Sequence, residues 1–156
     1  MRTVSAALLV LTAGFGWAFV PLPRVLKEEP SRRKAERIVR RWAVALAAKD
    51  IDGLVACSDL PFHVGDLRVL DEPAELREHF KTLVATGVPP GAKLISYKTL
   101  RVTHHKDFCN PDFVESLRRI VGEDGWVVEF RLNDRLYPVF VRIHDAGAAV
   151  VGYFTS

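Results

Sequence analysis

The sequence predicts an α+β domain in which a curved antiparallel sheet is covered on one face by helices. Three observations predict it. Apolar residues in the N-terminal half recur at helical spacing, and three closely spaced C-terminal runs alternate apolar and polar residues with period two. The connections between those C-terminal runs have the length and composition of hairpin turns. A chain of 156 residues, 49% hydrophobic and 26% charged, suits one globular domain with one core.

The chain opens with Arg2, an uncharged run from Thr3 to Val20, and Pro21. This is the layout of an export signal, or of an N-terminal membrane anchor if it is not cleaved. Gly16 and Ala18 supply a small-x-small pair, but Trp17 and Phe19 make a poor cleavage site. Residues 1–20 are therefore expected to be a signal peptide or anchor, 21–31 a proline-interrupted linker, and 32–156 the folded domain. Between Arg24 and Arg41 stand eight basic and three acidic residues, a net of +5; with Arg2 set aside, Trp42 onward carries −3 of the chain's +3 total. Basic residues just after an apolar segment tend to stay cytoplasmic, so a cytoplasm-facing anchored form stands beside export. A positive charge confined to that stretch predicts no nucleic-acid-binding surface.

Ser31 offers a cap for a first helix, whose apolar positions Ala35, Ile38, Val39, Trp42, Ala45 and Leu46 form one stripe, with Arg33, Arg37, Arg40 and Arg41 elsewhere. Asp50 caps a short second helix through Ile51, Leu54 and Val55, which Pro61 ends. "FHVGDLRVL" follows as two short extended runs around Gly65-Asp66. Asp71 or Glu72, with Pro73 in the first turn, starts a third helix on Leu76, Phe80, Leu83 and Val84. "LISYKTLRVTH" reads as a long strand, and Pro111 opens a helix bearing Phe113, Leu117 and Ile120 or Val121. "GWVVEFRL", "LYPVFVRIH" and "AAVVGYFTS" then make three strands joined at Asn133-Asp134 and Asp145-Ala146-Gly147. In the first, Trp126, Val128, Phe130 and Leu132 share a face; in the second, Tyr137, Val139, Val141 and Ile143 do.

This order resembles the cone-shaped nuclear transport factor 2-like (NTF2-like) fold, which includes ketosteroid isomerase and the SnoaL-like cyclases. The residues that carry the likeness are "RWAVALAAKDIDGLVACSDLPF", a long helix broken into a short one, and "VLDEPAELREHF", a strand entering a helix through an acidic cap. It spans about residues 33–156, with 109–122 resembling an insertion. The isomerase and cyclase members line the mouth of the cone with an acid and a neighbouring aromatic or histidine. The resemblance therefore points to Asp59 and His63 as a base and its orienting partner, with Trp42, Tyr97 and Trp126 as walls. The isomerase pattern of a tyrosine on the first helix is not matched. Because the fold serves unrelated functions, it implies no single activity.

Each reading has a plainer counterpart. Asp59 would otherwise cap a turn and His63 lie on an exposed strand face, and the aromatic set would be core. Arg142, on an otherwise apolar strand, suits a pocket, an interface or a solvated face. Cys57 and Cys109 could close a disulfide worth on the order of 4 kcal/mol in an oxidising compartment, or be two buried thiols. His104, His105, Asp107 and Cys109 supply only one metal-spacing unit, so no metal is expected. The absence of Gly-x-Ser-x-Gly and of a glycine-rich phosphate loop predicts no cofactor. The expected protein is an exported or membrane-tethered, non-catalytic domain that binds a small apolar ligand or associates with protein, with a homodimer through the sheet as one form. Its alternative is a small SnoaL- or isomerase-like enzyme using Asp59 and His63. The membrane contact would run through residues 3–20 if they are uncleaved.

Overall fold

The computed structural model describes residues 29–65, 68–88, 94–101 and 111–154, with residues 94–97, 100, 101 and 111–114 described by their backbone. The segment 1–20, the linker before Glu29, and His104, His105, Asp107 and Cys109 lie outside the described residues. Among the described residues no helix is long and apolar enough to cross a membrane.

Helix α1 (Pro30–Ala48) starts one residue before the expected cap. Proline has no N–H to lose at the first helical position, so Pro30 opens the helix with Glu29 as its N-cap residue. Lys49 ends it in the left-handed conformation, φ 58°, with its N–H turned back to Ala45 and Leu46. The next residue begins α2 (Ile51–Ala56), where the Asp50 carboxylate accepts from the Gly53 N–H at 2.9 Å. Strands β1 (Ser58–Val64) and β2 (Arg68–Leu70) form the first hairpin, and α3 (Pro73–Thr86) follows. The C-terminal end of α3 is held from across the sheet: Arg135 Nη1 and the Tyr137 hydroxyl both donate to the Gly87 carbonyl, at 2.6 and 3.1 Å.

Strand β3 (Leu94–Arg101), helix α4 (Pro111–Val121), and strands β4 (Trp126–Leu132), β5 (Arg135–His144) and β6 (Gly147–Tyr153) complete the chain. The six strands make one sheet in the order β2-β1-β6-β5-β4-β3. The C-terminal meander is antiparallel as expected, but β1 runs parallel to β6, so the sheet is mixed. Hairpin signals report only on strands adjacent in sequence; β1 and β6 meet across the whole intervening chain.

The inner face of the sheet packs on α1, α2 and α3. Trp42 stands at the centre, fully buried, with ring centroids 6.1 Å from Phe80, 6.0 Å from Phe130 and 5.8 Å from Tyr153. Phe62 packs edge-on against Phe80 at 5.4 Å, and Phe130 stacks on Tyr137 at 5.2 Å. The Trp42 indole donates to the Ser58 hydroxyl (3.2 Å), which donates to the Leu54 carbonyl (2.8 Å), so the polar atom of Trp42 is satisfied. Helix α4 lies on the opposite, outer face. There Leu117 and Val121 pack on Val127, Phe140 and Val151, one residue from each of β4, β5 and β6.

A bulge in β6 decides which residues face which side. Phe140 pairs with Gly152 and Val141 with Val150, so two residues of β5 oppose three of β6. Val150 and Tyr153 both reach the inner core, while Val151 joins the outer cluster.

Candidate functional site

The residues proposed from sequence fall into two separate places. Trp42 and Trp126 belong to the inner core, buried with its other members. Tyr97 lies on β3 opposite Phe130, and its side chain is outside the described part of the structure. Asp59, His63 and Arg142 gather on the outer face. His63 pairs with Gly152, whose neighbour across the sheet is the outward-facing Phe140, and Val64, the next residue on β1, points into the core. Alternation along a strand then sends His63 outward.

Arg142 organises this outer cluster. Its Nε and Nη2 donate to the Ile120 carbonyl at 3.2 and 2.8 Å, closing the C-terminal end of α4 with a cationic fork. Its Nη1 stands 4.0 Å from Asp59 Oδ2, and both side chains are partly solvated, so this pair adds little. Asp59 also accepts from the Leu60 N–H at 2.9 Å, the local turn contact expected of its plainer reading. Burial pushes the His63 imidazole below its ordinary pKa, the Arg142 guanidinium pushes it the same way, and Asp71 opposes them. The arrangement disfavours the charged form of a histidine placed near an arginine on a half-exposed face.

A second titratable pair, unforeseen from sequence, sits on the inner side. His79 Nε2 on α3 lies 2.8 Å from the Tyr153 hydroxyl, with the rings 5.8 Å apart. Burial, chiefly, and Arg68 lower the His79 pKa. Burial, chiefly, and Tyr137 raise that of Tyr153. Both shifts favour a tyrosine donor and a neutral histidine acceptor. The signal in the sequence was the position of His79 three residues after Leu76, at the edge of the buried stripe. Cys57, buried at the foot of α2, has no disulfide partner among the described residues, and burial raises its pKa. No group of metal-ligating side chains occurs among the described residues.

Two surface hollows border α1. One, of about 440 Å³, is lined by residues that include Arg40, Arg41, Val44, Ala48, Asp50 and Cys57. The other, of about 270 Å³, lies between Lys34, Arg37, Ile38 and Arg41 of α1 and residues 146–148 at the β5–β6 turn.

No family model and no curated protein matches this sequence. Solved structures do. A protein of unknown function with a cystatin-like fold from Nostoc punctiforme PCC 73102 aligns with a TM-score of 0.51 at 11% identity, over 79% of this chain and 87% of that one. An NTF2-like protein of unknown function from Pseudomonas putida KT2440 aligns with a TM-score of 0.46 at 11% identity, over 81% and 85%. A ketosteroid isomerase-like protein from Erwinia carotovora atroseptica SCRI1043 gives 0.47 at 11% identity, over 82% and 96%. At such identity a likeness speaks to fold alone. With its helices packed on a curved, open, six-stranded mixed sheet, this chain has an α+β fold similar to the cystatin-like fold of the Nostoc protein.

Proposed function

We propose that this chain is a membrane-tethered, non-catalytic module of NTF2-like fold that works by association at its surface. The observation that carries the reading is the filled interior. Trp42, Phe62, Phe80, Phe130, Tyr137 and Tyr153 occupy the space between helices and sheet, each 2% exposed or less. A ligand site needs a hollow with a few convergent polar groups, and among the described residues this space is taken by rings in mutual contact. The tether rests on the uncharged run from Thr3 to Val20 and on the basic residues that follow it. Asp59 and His63, the residues an enzyme would use, stand outside that interior.

The test uses the full-length chain in neutral lipid nanodiscs, mixed with a panel of steroids and aromatic polyketide analogues. The expected result is an unchanged Tm and no turnover. A ligand at a hundred times its Kd would add about 2.7 kcal/mol, a rise of several degrees. Such a rise, or turnover that disappears in Asp59→Asn and His63→Gln, would overturn the reading.

A further inference from the structure

We infer that the basic face of α1 docks on anionic phospholipid headgroups, so that the tethered domain lies against the membrane surface in one orientation. The inference rests on the tether proposed above and adds the contact that the folded domain itself makes. Lys34, Arg37 and Arg41 recur at three- and four-residue steps, which places them on one side of the helix along about 10 Å of its axis. All three are exposed and line the same hollow beside the β5–β6 turn. No carboxylate lines that hollow among the described residues. Glu36, the nearest acid on α1, is engaged elsewhere: its Oε1 accepts from Arg32 Nε at 2.9 Å and from the Thr99 hydroxyl at 2.7 Å.

The band continues into the second hollow, where Arg40 and Arg41 give way to Ala48 and to Val44, one of the two large apolar side chains left exposed among the described residues. Cations followed by an exposed apolar residue on one helix suit a headgroup region, which is anionic above and apolar below. The rest of the charge agrees. From Trp42 onward the chain carries a net −3, so an anionic surface attracts α1 and repels the remainder. Reach agrees as well. Nine residues separate Val20 from Pro30, and fully extended they span at most about 30 Å. An apolar run seated in the bilayer would hold α1 within that distance of the headgroups.

The test is an amine-acetylation footprint of the full chain, read by mass spectrometry, on phosphatidylcholine vesicles and on vesicles carrying about a third phosphatidylserine. Lys81, exposed on α3, is the internal control. The expected result is that Lys34 is acetylated several-fold more slowly on the anionic vesicles, that Lys81 is unaffected, and that the protection fades between 0.1 and 0.5 M salt as screening shortens. The double variant Arg37→Gln/Arg41→Gln should lose most of the protection while keeping the parent's circular dichroism. Equal Lys34 reactivity on the two vesicle types overturns the docking. So does protection by a DNA duplex where anionic vesicles give none, which would assign the face to nucleic acid. Flotation with the neutral vesicles reads the tether separately: a chain that does not float with them overturns the tether, whatever Lys34 reports.

Discussion

Gly152→Ala tests whether the two faces of the sheet are packed as described. The glycine sits on β6 between β1 and β5, and a methyl added there would lie 2.5 Å from the His63 carbonyl oxygen, 2.9 Å from His63 Cβ and 3.1 Å from the Phe140 ring. The first contact is with backbone, and the others close the remaining directions, so the strain cannot be relieved by one rotamer change. Overpacking typically costs 1–3 kcal/mol. With backbone on one side and a buried ring on the other, the upper end applies, about 3 kcal/mol. Gly147, five residues earlier on the same strand, is the control. A methyl there meets nothing nearer than His144 Cε1 at 3.9 Å, so Gly147→Ala should be neutral or stabilise by about 0.5 kcal/mol through the unfolded chain. Urea unfolding followed by far-ultraviolet circular dichroism measures both. At roughly 1.5 kcal/mol per molar urea, Gly152→Ala should lower the midpoint by about 2 M and leave the slope unchanged. If the two variants unfold within about 0.5 kcal/mol of each other, the β1–β6 register and the outward placement of His63 are wrong.

Stability should fall as pH drops below the ordinary histidine value of 6.5, because His63 and His79 both have folded pKa values below it and the unfolded chain takes up protons first. Urea midpoints from pH 7.5 to 5 should show this, and His79→Gln should flatten part of the slope. Tyr153→Phe should cost about 1 kcal/mol for the lost hydrogen bond to His79, measured by the same melts. Trp42→Ala should cost about 3–5 kcal/mol, since it empties the centre of the core and removes a donor to Ser58; near-ultraviolet circular dichroism and urea melts report it. Arg142→Gln should loosen the end of α4, with amide exchange of its last turn faster while β5 and β6 stay protected.

Most elements could be read from the sequence because their signals are local. The stripe from Ala35 to Leu46, the cap at Asp50 and the alternation from Trp126 to Leu132 depend on neighbours a few residues away. What escaped was set by contacts across the chain. The pairing of β1 with β6 joins residues some ninety positions apart, and no turn signal announces it. The bulge at Val150–Gly152 broke the two-residue period, so the face of Tyr153, and with it the contact to His79, was hidden. The apolar side of α4 was legible through Leu117 and Val121, but not the face of the sheet it would cover. Placing Asp59 and His63 at the mouth of the cone came from resemblance, and resemblance carries no register.

The close-fitting rings around Trp42 suggest what would turn this scaffold into a receptor: subtraction. Phe80 touches both Trp42 and Phe62 and is wholly shielded from solvent, so trimming it to alanine would leave a benzene-sized void walled largely by aromatic rings. Engineered voids of this kind stay dry and admit small aromatic guests. The distance between a closed wedge of this shape and one that captures molecules is then a single side chain.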